Sequence, residues 1–297
     1  MDGVVIVKKE AGLSSQAVVN RVKRLYAVDR AGHTGTLDPL AEGVLPVLIG
    51  RAVKASEFML TEDKHYRATL LLGLTTDTED ITGETLTRTD TLPTPAELLA
   101  VIPEFVGKIK QIPPMYSALK RGGQKLCDLA RRGIEVEREA REIEIYSLTA
   151  EHISGGEYTL DVHCSKGTYI RTLCADIGRR LGSGGVMKTL CRTAASGFTL
   201  GDALTLGELE AMSEAERGAI VIPTERIFEK FTVVALPPFF SHLARAGQEI
   251  YLRKIGRDFP LGTLLRLSDE RGFFAVGEVR EYEAGAAIKP IRQFRLD

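Results

Sequence analysis

The sequence has almost no net charge. Its 39 Lys and Arg stand against 40 Asp and Glu, a formal balance of −1. A protein that coats nucleic acid by bulk basicity is thereby disfavoured. The four cysteines, Cys127, Cys164, Cys174 and Cys191, form no C-x-x-C pair and no zinc spacing, so reduced and mostly buried thiols are expected. Neither G-x-x-x-x-G-K-[ST] nor H-E-x-x-H occurs. No apolar run approaches the length of a membrane span. Met1-Asp2-Gly3-Val4 offers no basic head and no long apolar core, so no secretory signal is expected. These absences predict a cytoplasmic protein without a membrane partner. There is no internal repeat and no low-complexity tract.

What is present is ordinary in bulk and uneven in detail. Apolar content of 44% and charged content of 27% suit a globular chain, and 297 residues suffice for one large domain plus a small one, or two medium ones. Charge is segregated along the chain. Residues 120–141 carry seven Lys/Arg against four Asp/Glu, and 163–192 carry six against one. Residues 75–104 carry one against seven, and 200–230 three against seven. Such segregation permits a basic surface on a neutral protein, and also arises from solvated helix faces that drift in sign.

One stretch is unlike the rest: Gly32-His33-Thr34-Gly35-Thr36-Leu37-Asp38-Pro39-Leu40-Ala41-Glu42-Gly43. Its density of turn formers predicts neither helix nor strand. Pro39 fixes its own backbone and pushes Asp38 out of helical geometry, so one carboxylate is presented on a stiff loop. The apolar run Val44, Leu45, Val47, Leu48 and Ile49 would anchor that loop to a sheet. An Asp-Pro pair alone is an ordinary surface turn. The whole block, with Tyr66 in His65-Tyr66-Arg67-Ala68, the run Lys166-Gly167-Thr168-Tyr169-Ile170-Arg171-Thr172-Leu173, and Lys188-Thr189-Leu190-Cys191-Arg192, resembles the TruB family of bacterial tRNA pseudouridine-55 synthases. The resemblance covers essentially residues 3–200 in four blocks. One departure is Glu10, which stands where the family usually has proline.

The resemblance implies an α+β chain. A pseudouridine synthase fold, a mixed and largely antiparallel sheet with flanking helices and loops, would occupy residues 1–230. A small PUA-like RNA-binding β-barrel would occupy 231–297, matching the short apolar runs and glycine punctuation after Phe231. The basic stretch with Gly122-Gly123 and Gly133 would be a thumb-like insertion, about 108–142, that folds over RNA.

It also implies a chemistry. Asp38 would be the carboxylate that acts at ribose C1′. Arg171 would pair with it, holding it ionised and oriented. Tyr66 would pack on the target base and shuttle a proton. Tyr169 would line the uridine site, Leu190 would wall the base, and His33 would support the flipped-out nucleotide. Read alone, Tyr66 is a half-buried strand tyrosine, Arg171 is as often a surface helix cation as an active-site partner, Leu190 is plain core and His33 is an uninformative loop histidine. A glycosidase would set two carboxylates across the bond, and only Glu42 lies near Asp38 in sequence, where solvation or loop structure is its expected role. Isomerising uridine adds and removes no atoms, so no cofactor and no metal are expected. The expected partner is the T-arm stem-loop of tRNA, with no obligate protein partner. The alternatives are an RNA-binding or tRNA-folding protein on the same scaffold, a nucleoside hydrolase, and the same chemistry on another RNA.

Further elements follow from pattern. Val4–Lys8, 65–74, 142–148, 158–164 and 186–194 read as strands. Ser14 or Ser15 caps a helix striped by Ala17, Val18, Val22 and Leu25, and a second helix runs over 168–181 to Gly182. Residues 54–60, 95–102, 205–211 and 213–219 read as short helices. Thr75–Asp80 reads as loop, and 109–119 as irregular because of Pro113-Pro114.

Overall fold

The computed structural model describes residues 1–60 and 62–295. The chain opens with β1 (Gly3–Lys9), whose branched side chains suit a pleated, buried surface. α1 (Ser15–Leu25) is capped by the Ser14 hydroxyl, which accepts from the Ala17 amide at 3.1 Å. Its buried face is Ser15, Val18, Val19 and Val22, while Ala17 is exposed, so the stripe is rotated from the expected one.

The glycine-rich block is less irregular than expected. Its ends belong to β2 (Ala31–His33) and β3 (Glu42–Ile49), which pair antiparallel, and only 34–41 is loop. Glycine here permits close backbone approach. Gly43, at φ 106°, lies against residue 192, and a Cβ would run into the Arg192 main chain.

α2 (Ser56–Leu60) leads to β4 (Lys64–Leu72), where Lys64, Tyr66, Ala68, Leu70 and Leu72 alternate inward. Beyond Gly73 the chain forms β5 (Leu74–Thr76), so Thr75 and Thr76 are strand rather than loop, zipped to β6 (Thr85–Arg88). α3 (Pro95–Val101) begins with a Thr94–Glu97 capping box and proline in its first turn. β7 (Gly107–Gln111) takes the first residues of the proline-rich stretch, ahead of the prolines themselves. The basic stretch holds a hairpin, β8 (Lys120–Arg121) and β9 (Gln124–Lys125), followed by α4 (Leu126–Ala130). Then come β10 (Arg141–Ser154), β11 (Glu157–Cys164), α5 (Ile170–Arg180), β12 (Gly185–Ala195), β13 (Phe198–Thr199), α6 (Leu206–Ala211) and α7 (Glu214–Ala219).

The first sheet runs β1-β3-β12-β4-β11-β10-β7, with β2 on β3 and β13 on β12. Every pairing in it is antiparallel except β3 with β12, which meet through Glu42–Cys191 and Gly43–Arg192. α1, α3, α5 and α6 cover one face, burying Val18, Leu98, Leu173 and Leu209 against Val47, Ala68, Leu70 and Leu160.

The second sheet comprises β14 (Thr232–Ala235), β15 (Ile250–Tyr251), β16 (Leu264–Asp269), β17 (Gly272–Arg280) and β18 (Ala287–Gln293) in the order β14-β16-β17-β18-β15, a curled half-barrel. Between β14 and β15 lies α8 (Pro238–Arg245), a helix that the glycine-punctuated reading did not contain. Only two turns long, it gives a weak periodic signal, and Pro237-Pro238 disguises its start. Phe58, Phe228, Phe231, Phe273 and Phe294 join the two sheets, beside an Arg292–Glu57 ion pair at 2.6 Å. Among the described residues no helix is long and apolar enough to cross a membrane.

Candidate active site

Asp38 sits on the loop between β2 and β3. The Asp38 carbonyl accepts from the Ala41 amide at 3.0 Å, closing a turn around Pro39. Three side chains hold that loop. Ser15, at the start of α1, both donates to the Leu37 carbonyl (2.9 Å) and accepts from the Leu37 amide (2.8 Å). Lys9, at the end of β1, is wholly buried and donates to the carbonyls of Pro39 (3.3 Å), Glu10 (3.1 Å) and Ala41. Arg192, on β12, is 1% exposed and donates to the carbonyls of Val44 (2.8 Å) and Gly35 (3.1 Å). Buried cations are costly unless their donors find acceptors. Here the acceptors are carbonyls of the loop (Gly35, Pro39, Ala41) and of its neighbours Glu10 and Val44, so Lys9 and Arg192 fix its shape.

The Arg171 guanidinium, rooted on α5, meets the Asp38 carboxylate at 2.9 Å. Its other nitrogens donate to the Thr78 carbonyl (3.1 Å) and the Tyr116 carbonyl (2.8 Å), and Asp80 lies 3.6 Å away. Asp80 is 5% exposed and accepts from the Thr78 hydroxyl (2.9 Å), the Thr82 amide (3.0 Å) and the Thr82 hydroxyl. The 77–82 segment is held rigid against β12 by Met187, which donates to the Glu79 carbonyl and accepts from the Ile81 amide. Each arm of the Arg171 fork is thus committed, and the arginine cannot swing away without losing several partners.

Asp38, Asp80, Arg171, Thr36, Thr78 and Tyr116 line one cavity of about 630 Å³, a size that accepts a nucleoside. Burial pushes the Asp38 carboxyl above the ordinary carboxylate value. The Arg171 charge opposes that rise, Asp80 adds to it, and Lys9 opposes it weakly. The balance is upward, so the guanidinium offsets desolvation only in part. Burial lowers the Lys9 pKa to about 8.

The other expected residues do not line the cavity. Tyr66 and Leu190, 8% and 7% exposed, pack in the same core cluster as Leu37. Burial raises the Tyr66 pKa, against the charge of Arg192. Tyr169 is half-buried at the start of α5, its backbone bonded on both sides to the Gln111 side chain at 2.8 and 3.1 Å. His33 ends β2, and its Nδ1 accepts from the Gly35 amide at 3.3 Å. Burial, then the Arg192 charge, lowers its pKa, which favours neutral imidazole. Glu42 is exposed at the start of β3.

Sequence reasoning missed Asp80, Lys9 and Arg192. A second carboxylate does share the cavity with Asp38, and it is Asp80. Its hydrogen bonds to Thr78 and Thr82 suit it to holding Arg171 rather than to facing a second side of a substrate bond. Thr78-Glu79-Asp80-Ile81-Thr82 carried a local signal, since aspartate flanked by threonines forms side-chain-bonded turns. Lys9 and Arg192 carried none, because the carbonyls they hold in the loop and at its β3 flank lie 30 to 157 residues away.

Two solved structures have this architecture across 99% of the chain. One is an H/ACA ribonucleoprotein bound to a substrate RNA containing 2′-deoxyuridine (TM-score 0.71, 22% identity, 85% of that chain covered). The other is an archaeal box H/ACA Nop10–Cbf5 complex (TM-score 0.70, 24% identity, 86% of that chain covered). The fold is that of the pseudouridine synthases. The TruB family pseudouridylate synthase N-terminal domain matches residues 23–170, and the tRNA pseudouridylate synthase B C-terminal domain matches 171–229. Over 294 residues the chain is 41% identical to tRNA pseudouridine synthase B of Methylobacillus flagellatus, covering 99% of this chain and 96% of that protein. Over 282 residues it is 42% identical to the protein so named from Alkaliphilus oremlandii, covering 94% of each. The chain belongs to the TruB family of pseudouridylate synthases and is an isomerase.

Proposed function

We propose that this enzyme converts the T-arm uridine at position 55 of tRNA into pseudouridine, with Asp38 as the reacting carboxylate. The reading rests on one observation above others: a desolvated carboxylate, clamped by Arg171, faces a nucleoside-sized cavity. In the reaction the bond from ribose C1′ to N1 breaks and a bond from C1′ to C5 forms, while C5 gives up a proton and N1 gains one. Asp38 supplies negative charge at C1′, Arg171 holds it in line, and Tyr66, Tyr169, Leu190 and His33 serve the extruded nucleotide. Extrusion costs a few kcal/mol, which contacts with the rest of the stem-loop offset. The basic stretch 120–141 acts as a thumb on the phosphates, so affinity falls steeply with salt. The names of the relatives support tRNA as the substrate.

The test is to incubate the protein with unmodified tRNA transcript and map the modified uridines. Product at position 55 from the wild type, with Asp38→Asn binding tRNA and giving none, is expected. Wild-type rates from Asp38→Asn would remove Asp38 from the chemistry. Product at another uridine would move the target, and binding without product would leave an RNA-binding protein.

A further inference from the structure

Away from the cavity, three side chains converge at the start of β4. His65 and His163 are directly opposite one another in the antiparallel β4–β11 ladder. Their rings stack with centroids 3.9 Å apart and 12° between planes. Asp63, one residue before β4, brings its carboxylate into hydrogen-bond contact with His163 Nε2. One ligand atom from each of the three lies within 4.8 Å of the others. Tyr146 packs its ring on His163, 4.8 Å between centroids, and walls one side.

We propose that Asp63, His65 and His163 form a binding site for a divalent transition metal of the zinc class, which staples β4 to β11. Two imidazoles and a carboxylate are a donor set suited to zinc and its neighbours, with water completing the tetrahedron. Donors at zinc lengths of about 2.0–2.1 Å stand about 3.4 Å apart around a tetrahedron. The present separations close to that value by rotating side chains, because both histidines sit on paired strands and His65 is exposed enough to turn. Ring stacking joins the two imidazoles, and the Asp63–His163 hydrogen bond brings a carboxylate to the same point, so three donors of metal-ligating type are already gathered. His65 lies on the strand face opposite Tyr66, whose side chain is buried in the core. The metal therefore acts as a structural clamp on the strand that carries Tyr66 and stays outside the isomerisation itself.

The test uses untagged full-length protein, stripped with a chelator and titrated with Zn²⁺ against a chromophoric competitor, and with Co²⁺ followed by its visible absorption. One equivalent should bind, with a higher melting temperature for the wild type. His65→Ala and His163→Ala should each weaken binding at least about tenfold and abolish the thermal shift. His152→Ala, on a histidine bonded instead to the Gly155 carbonyl, should bind as the wild type does. Absence of saturable one-to-one binding up to about 100 µM metal, or equal binding by the His65→Ala/His163→Ala double variant, overturns the proposal.

Discussion

At Asp38 desolvation and ion pairing pull in opposite directions, and desolvation wins. The carboxyl therefore takes up its proton at a higher pH than a free aspartate does. The sign for folding follows: a raised pKa contributes stability below the unfolded value and loses it as pH rises through the folded one. Ionised Asp38 thus weakens folding at neutral pH, a cost that active sites commonly carry. For activity the expected outcome is an acid limb in kcat/KM with an apparent pKa above the ordinary carboxylate value of 3.8. Arg171→Gln removes the main charge opposing the rise, so its residual activity should show the limb moved further up. Single-turnover rates on tRNA across pH check both, and a limb unmoved in the variant would separate the guanidinium from the ionisation. At this scale the sequence was legible where residues form a motif. Asp38 and Arg171 were both named from the resemblance, and they lie 2.9 Å apart. Asp80 was not: the threonines around it mark a side-chain-bonded turn, but nothing in 75–82 says that the turn's carboxylate faces a buried guanidinium.

The element that decides the site is the loop 34–41, and its shape is set from outside. Lys9 on β1, Ser15 on α1 and Arg192 on β12 each hold carbonyls or amides of that loop or its flanks. Lys9→Met keeps the chain's length and removes its donors. It should cost about 1–3 kcal/mol for buried carbonyls left unpaired, read from urea denaturation. The Lys9 pKa of about 8 is depressed from 10.5, so the unfolded chain holds a proton there that the native one has lost. The stability of the wild type relative to Lys9→Met should therefore rise between about pH 8 and 10.5. A flat difference across that window would place the lysine's charge elsewhere. Strands with alternating apolar residues, such as β4 and β11, were readable because one face is buried. The strand character of Gly32-His33 and Glu42-Gly43 was hidden, since it depends on pairing between β2, β3 and β12 rather than on local preference.

Over the whole molecule, two sheets share an aromatic seam centred on Phe228, fully buried against Phe58, Phe231, Phe273 and Phe294. Phe228→Ala should cost about 3–5 kcal/mol, the usual range for an aromatic core truncation. Denaturation followed by fluorescence and by proteolysis of the 231–295 segment checks it. Loss of less than about 1 kcal/mol would mean that the seam is a loose contact. The seam was not visible beforehand, because its phenylalanines come from four places along the chain and obey no period. The loop's anchorage also bears on protein engineering. Asp38 belongs to a discontinuous unit whose struts are Lys9, Ser15, Arg171 and Arg192. Transplanting residues 32–43 into a foreign scaffold would carry the letters of the motif and leave its scaffolding behind. A working graft has to import four distant side chains, together with the β1, α1, α5 and β12 backbones that aim them.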